Sequence, residues 1–264
     1  MIRTPALLGL SGALLLSGCT MTTTTTAKSA PQTFVLVHGA LLGEFSWNRV
    51  AQQLAADGNR VITLDLPGHG ADQTAPEGLT LNTYRDAVIA AIGDNTNVVL
   101  VGHSFGGMVV SQVAEAVPGK ISKLVYLAAL IPQTGDTANS LTMMDKDSLF
   151  GKYVTPTGAT LTFNPDGIQP VFCNDCSEGD IAMMRAKLRP EPAAPFGNAV
   201  TLTAANYGSV RKYNVMTRQD HAISYGFQQT LNARGTFVKS VTLDSSHVPF
   251  FSQPAALTRV LEGL

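Results

Sequence analysis

The chain has 264 residues, 45 % hydrophobic and only 14 % charged, with 18 Lys plus Arg against 19 Asp plus Glu. This length suits one large domain or a domain with an insertion, and the charge content lies below the roughly 25 % of an ordinary soluble domain. A formal net charge of −1 without a basic tract excludes a nucleic-acid-binding face, which needs clustered cations.

Residues 1–18 read as a leader to be set aside before the fold is considered. Arg3 supplies a positive start. The apolar run from Ala6 to Leu16 is short of the roughly 20 residues of a membrane span. Leu16-Ser17-Gly18-Cys19 resembles a bacterial lipobox, which implies acylation of Cys19 as the new N-terminus; a plain cleaved signal or a short buried helix is the alternative. Thr20 follows the Cys instead of Asp, which by the same resemblance implies the outer membrane, facing the periplasm. Residues 19–31, rich in Thr, read as a flexible tether. The expected place is therefore the cell envelope, through a lipid at Cys19, with the folded domain over residues 32–264.

The domain alternates short apolar runs with amphipathic stretches, the pattern of a parallel sheet covered on both faces. Phe34–Val37 is the first run, closed by His38-Gly39. Trp47–Ala56 carries apolar residues at helical spacing and stops before Gly58. Val61–Leu64 is the second run and ends at Pro67-Gly68. Leu81–Ile92 reads as a helix stopped by Gly93, Val98–Val101 as the third strand, and Ser104–Val117 as a helix stopped by Pro118. Leu124–Leu127, Tyr213–Met216 and Phe237–Leu243 complete the strands, and Pro254–Leu264 reads as a closing helix.

The proline-rich stretch from about 132 to 207 breaks the alternation. A compact domain rarely spends so many residues on an idle loop. It reads as a cap over the C-terminal edge of the sheet, where ligands bind in open α/β sheets. Cys173 and Cys176 fall within it. No His or Cys clusters nearby to complete a zinc site; the favoured reading is two free, partly buried thiols, with a local disulfide as the alternative.

Gly102-His103-Ser104-Phe105-Gly106 fits G-x-S-x-G and lies between a strand and a helix, the context that turns this short pattern into a nucleophile elbow. Ser104 at a helix N-terminus meets free N–H groups and a favourable dipole. A hydroxyl needs a base. Of the five histidines, only His247 sits just beyond the last strand and follows in the order Ser, Asp, His. Asp220, after the penultimate strand, is the favoured acid. Asp244 is the alternative, and Asp65 reads as a turn-forming residue. The oxyanion donors are assigned to the Phe105 N–H and the Ala40 N–H, with His38 bracing the Ala40 loop.

Together Val35-Leu36-Val37-His38-Gly39-Ala40, Asp65-Leu66-Pro67-Gly68-His69-Gly70, Gly102–Gly107, Thr217–Asp220 and Ser246-His247 resemble the α/β-hydrolase branch of plant methylesterases, hydroxynitrile lyases and bacterial pyrethroid-hydrolase-like esterases. The resemblance implies a mostly parallel eight-stranded sheet flanked by helices, a helical cap, and metal-free, cofactor-free chemistry by Ser104, His247 and Asp220. The lyases carry Lys directly after the catalytic His; Val248 stands there in this chain. The expected activity is a serine carboxylesterase on small to medium apolar esters. An amidase, lactonase or thioesterase would use the same triad, and a ligand-binding envelope lipoprotein without turnover is the reading of another class.

Overall fold

The computed structural model describes residues 1, 2, 4 and 30–264. The chain divides into two units, Met1–Ala30 and Pro31–Leu264, and the elements of the described residues all lie in the second. Most of the leader, Cys19 and most of the Thr-rich tether lie outside the described residues. Among the described residues no helix is long and apolar enough to cross a membrane.

Six strands form the main sheet: β1 (Thr33–Val37), β2 (Arg60–Thr63), β3 (Val98–His103), β4 (Ile121–Leu127), β8 (Lys212–Thr217) and β9 (Lys239–Leu243), in the order β2-β1-β3-β4-β8-β9. Every pairing is parallel. The apolar runs foretold these six. The eight strands implied by the resemblance are not reached among the described residues, where the main sheet has six; the apolar run at residues 128–131 after β4 is buried but forms no further strand. Alternate side chains go to opposite faces. Val35 and Val37 enter one core with Tyr84, Val88, Met108, Val109 and Leu231. Phe34 and Leu36 enter the other with Val50, Leu54, Phe250 and Leu257.

The two cores place helices on both faces. α2 (Leu81–Ile92), α3 (Gly106–Ala116) and α6 (Tyr225–Arg234) contribute to the first; α1 (Asn48–Ala56), α7 (Pro249–Ser252) and α8 (Pro254–Glu262) contribute to the second. The helix starts follow local chemistry. The Thr80 side chain accepts the Thr83 N–H in a capping box that opens α2. α3 has no such side-chain cap; its opening turn is closed instead by the Gly107 and Met108 N–H groups, which donate to the Ser104 and Phe105 carbonyls.

The insertion between β4 and β8 is more than helical. Besides α4 (Ala138–Met144) and α5 (Glu178–Lys187) it holds an antiparallel sheet of β5 (Val154–Thr157), β6 (Thr160–Phe163) and β7 (Glu191–Pro192). Gly158, at φ +59°, makes the tight turn between β5 and β6. Cys173 and Cys176 are joined in a disulfide, which overturns the favoured reading of free thiols. The turn closed by the Cys176 N–H to the Cys173 carbonyl brings the two Cα atoms to 5.0 Å, within bridging range. Among the described residues no group of three or more His, Cys, Asp or Glu could hold a metal.

Candidate active site

Ser104 sits between β3 and α3 at φ +55°, a left-handed conformation unusual for a side-chain-bearing residue. Its backbone is held on both sides: the N–H donates to the Leu127 carbonyl at 3.1 Å, and its carbonyl accepts from Gly107 and Leu130 at 3.0 and 3.1 Å. The strained elbow is thus over-determined by its surroundings. Space is tight around it. A Cβ at Gly106 would stand 2.7 Å from the His38 carbonyl oxygen, and one at Gly39 2.7 Å from the Ser104 Cβ. Backbone approaches that close require glycine.

The structure brings Ser104, His247 and Asp220 together across 143 and 27 residues of chain. The Ser104 Oγ lies 2.9 Å from His247 Nε2, and His247 Nδ1 lies 2.7 Å from Asp220 Oδ2. Asp220 is buried and stays well supplied with donors. Oδ1 accepts the N–H groups of Ala222 and Ile223 at 2.8 and 2.9 Å, and Oδ2 also accepts Thr217 Oγ1 and Gln228 Nε2 at 2.8 and 2.9 Å. A carboxylate with this many donors remains an acceptor toward Nδ1–H, leaving Nε2 free to accept the serine proton. Gln228, on α6, gave no signal in the sequence.

The remaining acids and histidines fall elsewhere. The Asp244 side chain is 72 % exposed and accepts from Gln219 Nε2, not from His247. Asp65 accepts the N–H groups of Glu44 and Ala71, tying two loops. His221 is bonded to the Pro170 carbonyl. His38 is buried. Its Nε2 accepts the Leu66 N–H, so its Nδ1 donates to the Gly39 carbonyl at 2.8 Å and braces the Ala40 loop. Burial, aided by nearby His69, lowers its pKa to about 3. His103 donates from Nε2 to the His247 carbonyl at 2.9 Å, and their rings lie 4.6 Å apart. Burial and then the charge of His247 hold it well below the ordinary imidazole range, so it is a neutral prop under the site.

Ala40 and Phe105 line a narrow apolar cavity with Ser104 and His247. Among the described residues, neither of their N–H groups donates to a backbone carbonyl. The cavity volume is about 40 Å³. Cap residues form its roof. Phe196 stacks on Phe105 with ring centroids 4.3 Å apart, and Phe172, next to the disulfide, lies 5.6 Å from the His247 ring. Val248 is buried and lines the same cavity.

The sequence profile of the alpha/beta hydrolase family matches residues 34–260. The chain belongs to the alpha/beta hydrolase family. Among this hydrolase's relatives is a chloroplastic Arabidopsis thaliana protein carrying the name methylesterase 11, 32 % identical over 245 residues, 86 % of this chain and 62 % of that protein. The hydrolase thus spans less than two thirds of that relative's length. Polyneuridine aldehyde esterase of Rauvolfia serpentina is 30 % identical over 260 residues, 86 % of this chain and 93 % of that one. The crystal structure of a pyrethroid hydrolase from Sphingobium faniae superposes with a TM-score of 0.79 at 22 % identity, over 89 % of this chain and 97 % of that one, a likeness of fold. Family and relatives support a carboxylic ester hydrolase, in the branch that the motifs resemble.

Proposed function

We propose that this hydrolase cleaves small, apolar carboxylic esters through an acyl-enzyme on Ser104. The observation that carries the reading is the continuous chain from Ser104 Oγ to His247 at 2.9 Å and on to Asp220 at 2.7 Å. As Oγ attacks the ester carbonyl, His247 Nε2 takes its proton. The carbonyl oxygen becomes an oxyanion that the Phe105 and Ala40 N–H groups stabilise, a donor being worth roughly 3–4 kcal/mol. Collapse expels the alcohol, which receives the proton from His247. Water then repeats the sequence on the acyl-enzyme and frees the acid.

The size of the substrate follows from the roof. A cavity this narrow, closed by the Phe105–Phe196 stack, favours a short acyl chain and a small alcohol, and the names of the two esterase relatives agree with ester chemistry. Hydrolysis of p-nitrophenyl acetate and butyrate is expected to fall by at least about 10³-fold in Ser104→Ala. Equal rates would sink the assignment.

The Leu16-Ser17-Gly18-Cys19 sequence supports a second part of the proposal, a lipid anchor at Cys19 that keeps the enzyme at the cell envelope. Cys19→Ala should move the protein from the membrane to the soluble fraction; unchanged sedimentation with membranes would refute acylation at that residue.

A further inference from the structure

A buried ion pair outside the triad joins the cap to the loop after β2, and its carboxylate also reaches the loop after β1. Glu191 belongs to β7 of the cap, and His69 to the loop after β2; both side chains are 1 % exposed. Glu191 Oε2 accepts from His69 Nε2 at 2.8 Å and from the Leu41 N–H at 2.7 Å. His69 Nδ1 faces the Pro67 carbonyl at 3.1 Å. Both ring nitrogens therefore face oxygen acceptors, and only the doubly protonated ring satisfies both. Burial opposes that charge, but the Glu191 carboxylate overcomes it and the pKa of His69 is raised.

Leu41 is the focus of this clamp. It stands at φ +67°, one of four side-chain-bearing residues with a positive φ among the described residues. The cap holds both of its backbone groups: its N–H goes to Glu191, and its carbonyl accepts the Arg189 N–H at 3.1 Å. The residue before it is Ala40, which lines the cavity beside Ser104. Strain of this kind persists only where surrounding contacts over-determine it, and it clusters at active sites; fixing Leu41 also fixes the peptide that joins it to Ala40.

We infer that Glu191, charge-paired with His69, is a positioning residue for the Ala40 N–H: it reaches from the cap, pins Leu41 in its left-handed conformation, and so fixes one of the two oxyanion donors. The inference rests on the acyl-transfer reading of Ser104. It makes the cap part of the catalytic geometry as well as a roof. It also makes that geometry depend on pH, because deprotonation of His69 would leave the Glu191 carboxylate buried without its counter-charge. The other groups facing His69 are His38, with ring centroids 5.0 Å apart, Tyr84 at 5.6 Å, and the Asp65 carboxylate, which also favours the charged ring. Arg189 braces the neighbouring turn through the Gly70 and Asp72 carbonyls, and Asp72 accepts the Gly68 N–H. His38 is neutral, so the alkaline change belongs to His69.

The test compares wild type, Glu191→Gln, His69→Gln and Ser104→Ala with p-nitrophenyl acetate. It adds two ligands, 1,1,1-trifluoro-2-hexanone and 2-hexanone. The first adds Ser104 Oγ to its carbonyl carbon, passes the serine proton to His247 and leaves an alkoxide in the oxyanion site; the second stays a neutral ketone. Glu191→Gln is expected to lower kcat about 10- to 100-fold, less than outright loss of a donor, with KM within about twofold. It should weaken the trifluoroketone by the same factor and leave 2-hexanone unchanged. Wild-type kcat should decline as pH rises above 6.5 through the raised pKa of His69, and His69→Gln should be low and flat over that range. Variants that melt cooperatively yet keep wild-type kcat, trifluoroketone affinity and pH profile overturn the inference, as does an equal loss for both ketones. Should Glu191→Gln not fold, the profile of His69→Gln alone decides. Activity persisting in Ser104→Ala overturns the acyl-transfer reading, and the inference with it, on separate grounds.

Discussion

At the scale of single residues, the arrangement around Asp220 shows how a site is built from satisfied hydrogen bonds. Its two oxygens together accept from His247, Thr217, Gln228, Ala222 and Ile223. The last four hold the carboxylate in place, so the first can hold the imidazole in the tautomer that presents Nε2 to Ser104. Asp220→Asn keeps the shape and removes the charge, and an amide nitrogen toward Nδ1 would favour the wrong tautomer. We expect kcat to fall by about 10³- to 10⁴-fold with KM nearly constant, measured by steady-state kinetics on p-nitrophenyl acetate. A loss confined to KM would count against this role. The sequence favours Asp220 over Asp244 because Asp220 follows the penultimate strand, whereas Asp244 ends the strand that leads to the His247 loop. The need for Gln228 was not legible there, because the contact depends on how α6 packs beside the end of β8.

At the scale of elements, the strand–turn–helix unit of β3, Ser104 and α3 is where sequence and structure agree most closely. The apolar run, the paired glycines and the helical spacing are all local, and the elbow follows from them. What the glycines avoid is not local. At Gly106 an added methyl would press on the His38 carbonyl of the adjacent strand's end, 2.7 Å away. Gly106→Ala must therefore push β1 and α3 apart or distort the elbow. Overpacking of this kind costs typically about 1–3 kcal/mol. The expected result is a lower midpoint in urea unfolding at an unchanged slope, together with impaired labelling of Ser104 by a fluorophosphonate. An unaltered midpoint would show that the backbone there gives way freely. The cap was less legible. Its turn at Gly158 and its alternating Thr residues form a small antiparallel sheet, whereas the resemblance implied a helical cap.

For the whole molecule, burial of histidines sets the dependence of stability on pH. His38 and His103 are fully buried and neutral, the first with its pKa lowered to about 3 and the second well below the ordinary value. Both take up a proton near pH 6.5 once the chain unfolds. Below that pH the unfolded state binds more protons, so stability falls as pH falls, by up to about 1.4 kcal/mol per pH unit for each group. The contribution of His69 has the opposite sign: it is complete below 6.5 and fades as pH rises through its raised folded value. Stability should thus pass through a maximum at or just above pH 6.5. Urea unfolding at pH 5.0, 5.75 and 6.5 reads the acid slope before the carboxylates titrate. A flat response over that range would contradict neutral burial of the two histidines.

The sequence by itself determined the six strands, the helices between them, the elbow at Ser104, and the order in which His247 and Asp220 follow it. These depend on periodicity, turn residues and chain order, which are properties of short segments. The tertiary structure alone decided the strand count against the larger number implied by resemblance, the disulfide at Cys173 and Cys176, and the partners of each buried polar group. It also decided that a glutamate 150 residues from Leu41 would hold the loop beside Ser104. Such contacts form only when distant segments are packed together and every buried donor and acceptor must find a partner, a requirement that no local pattern records.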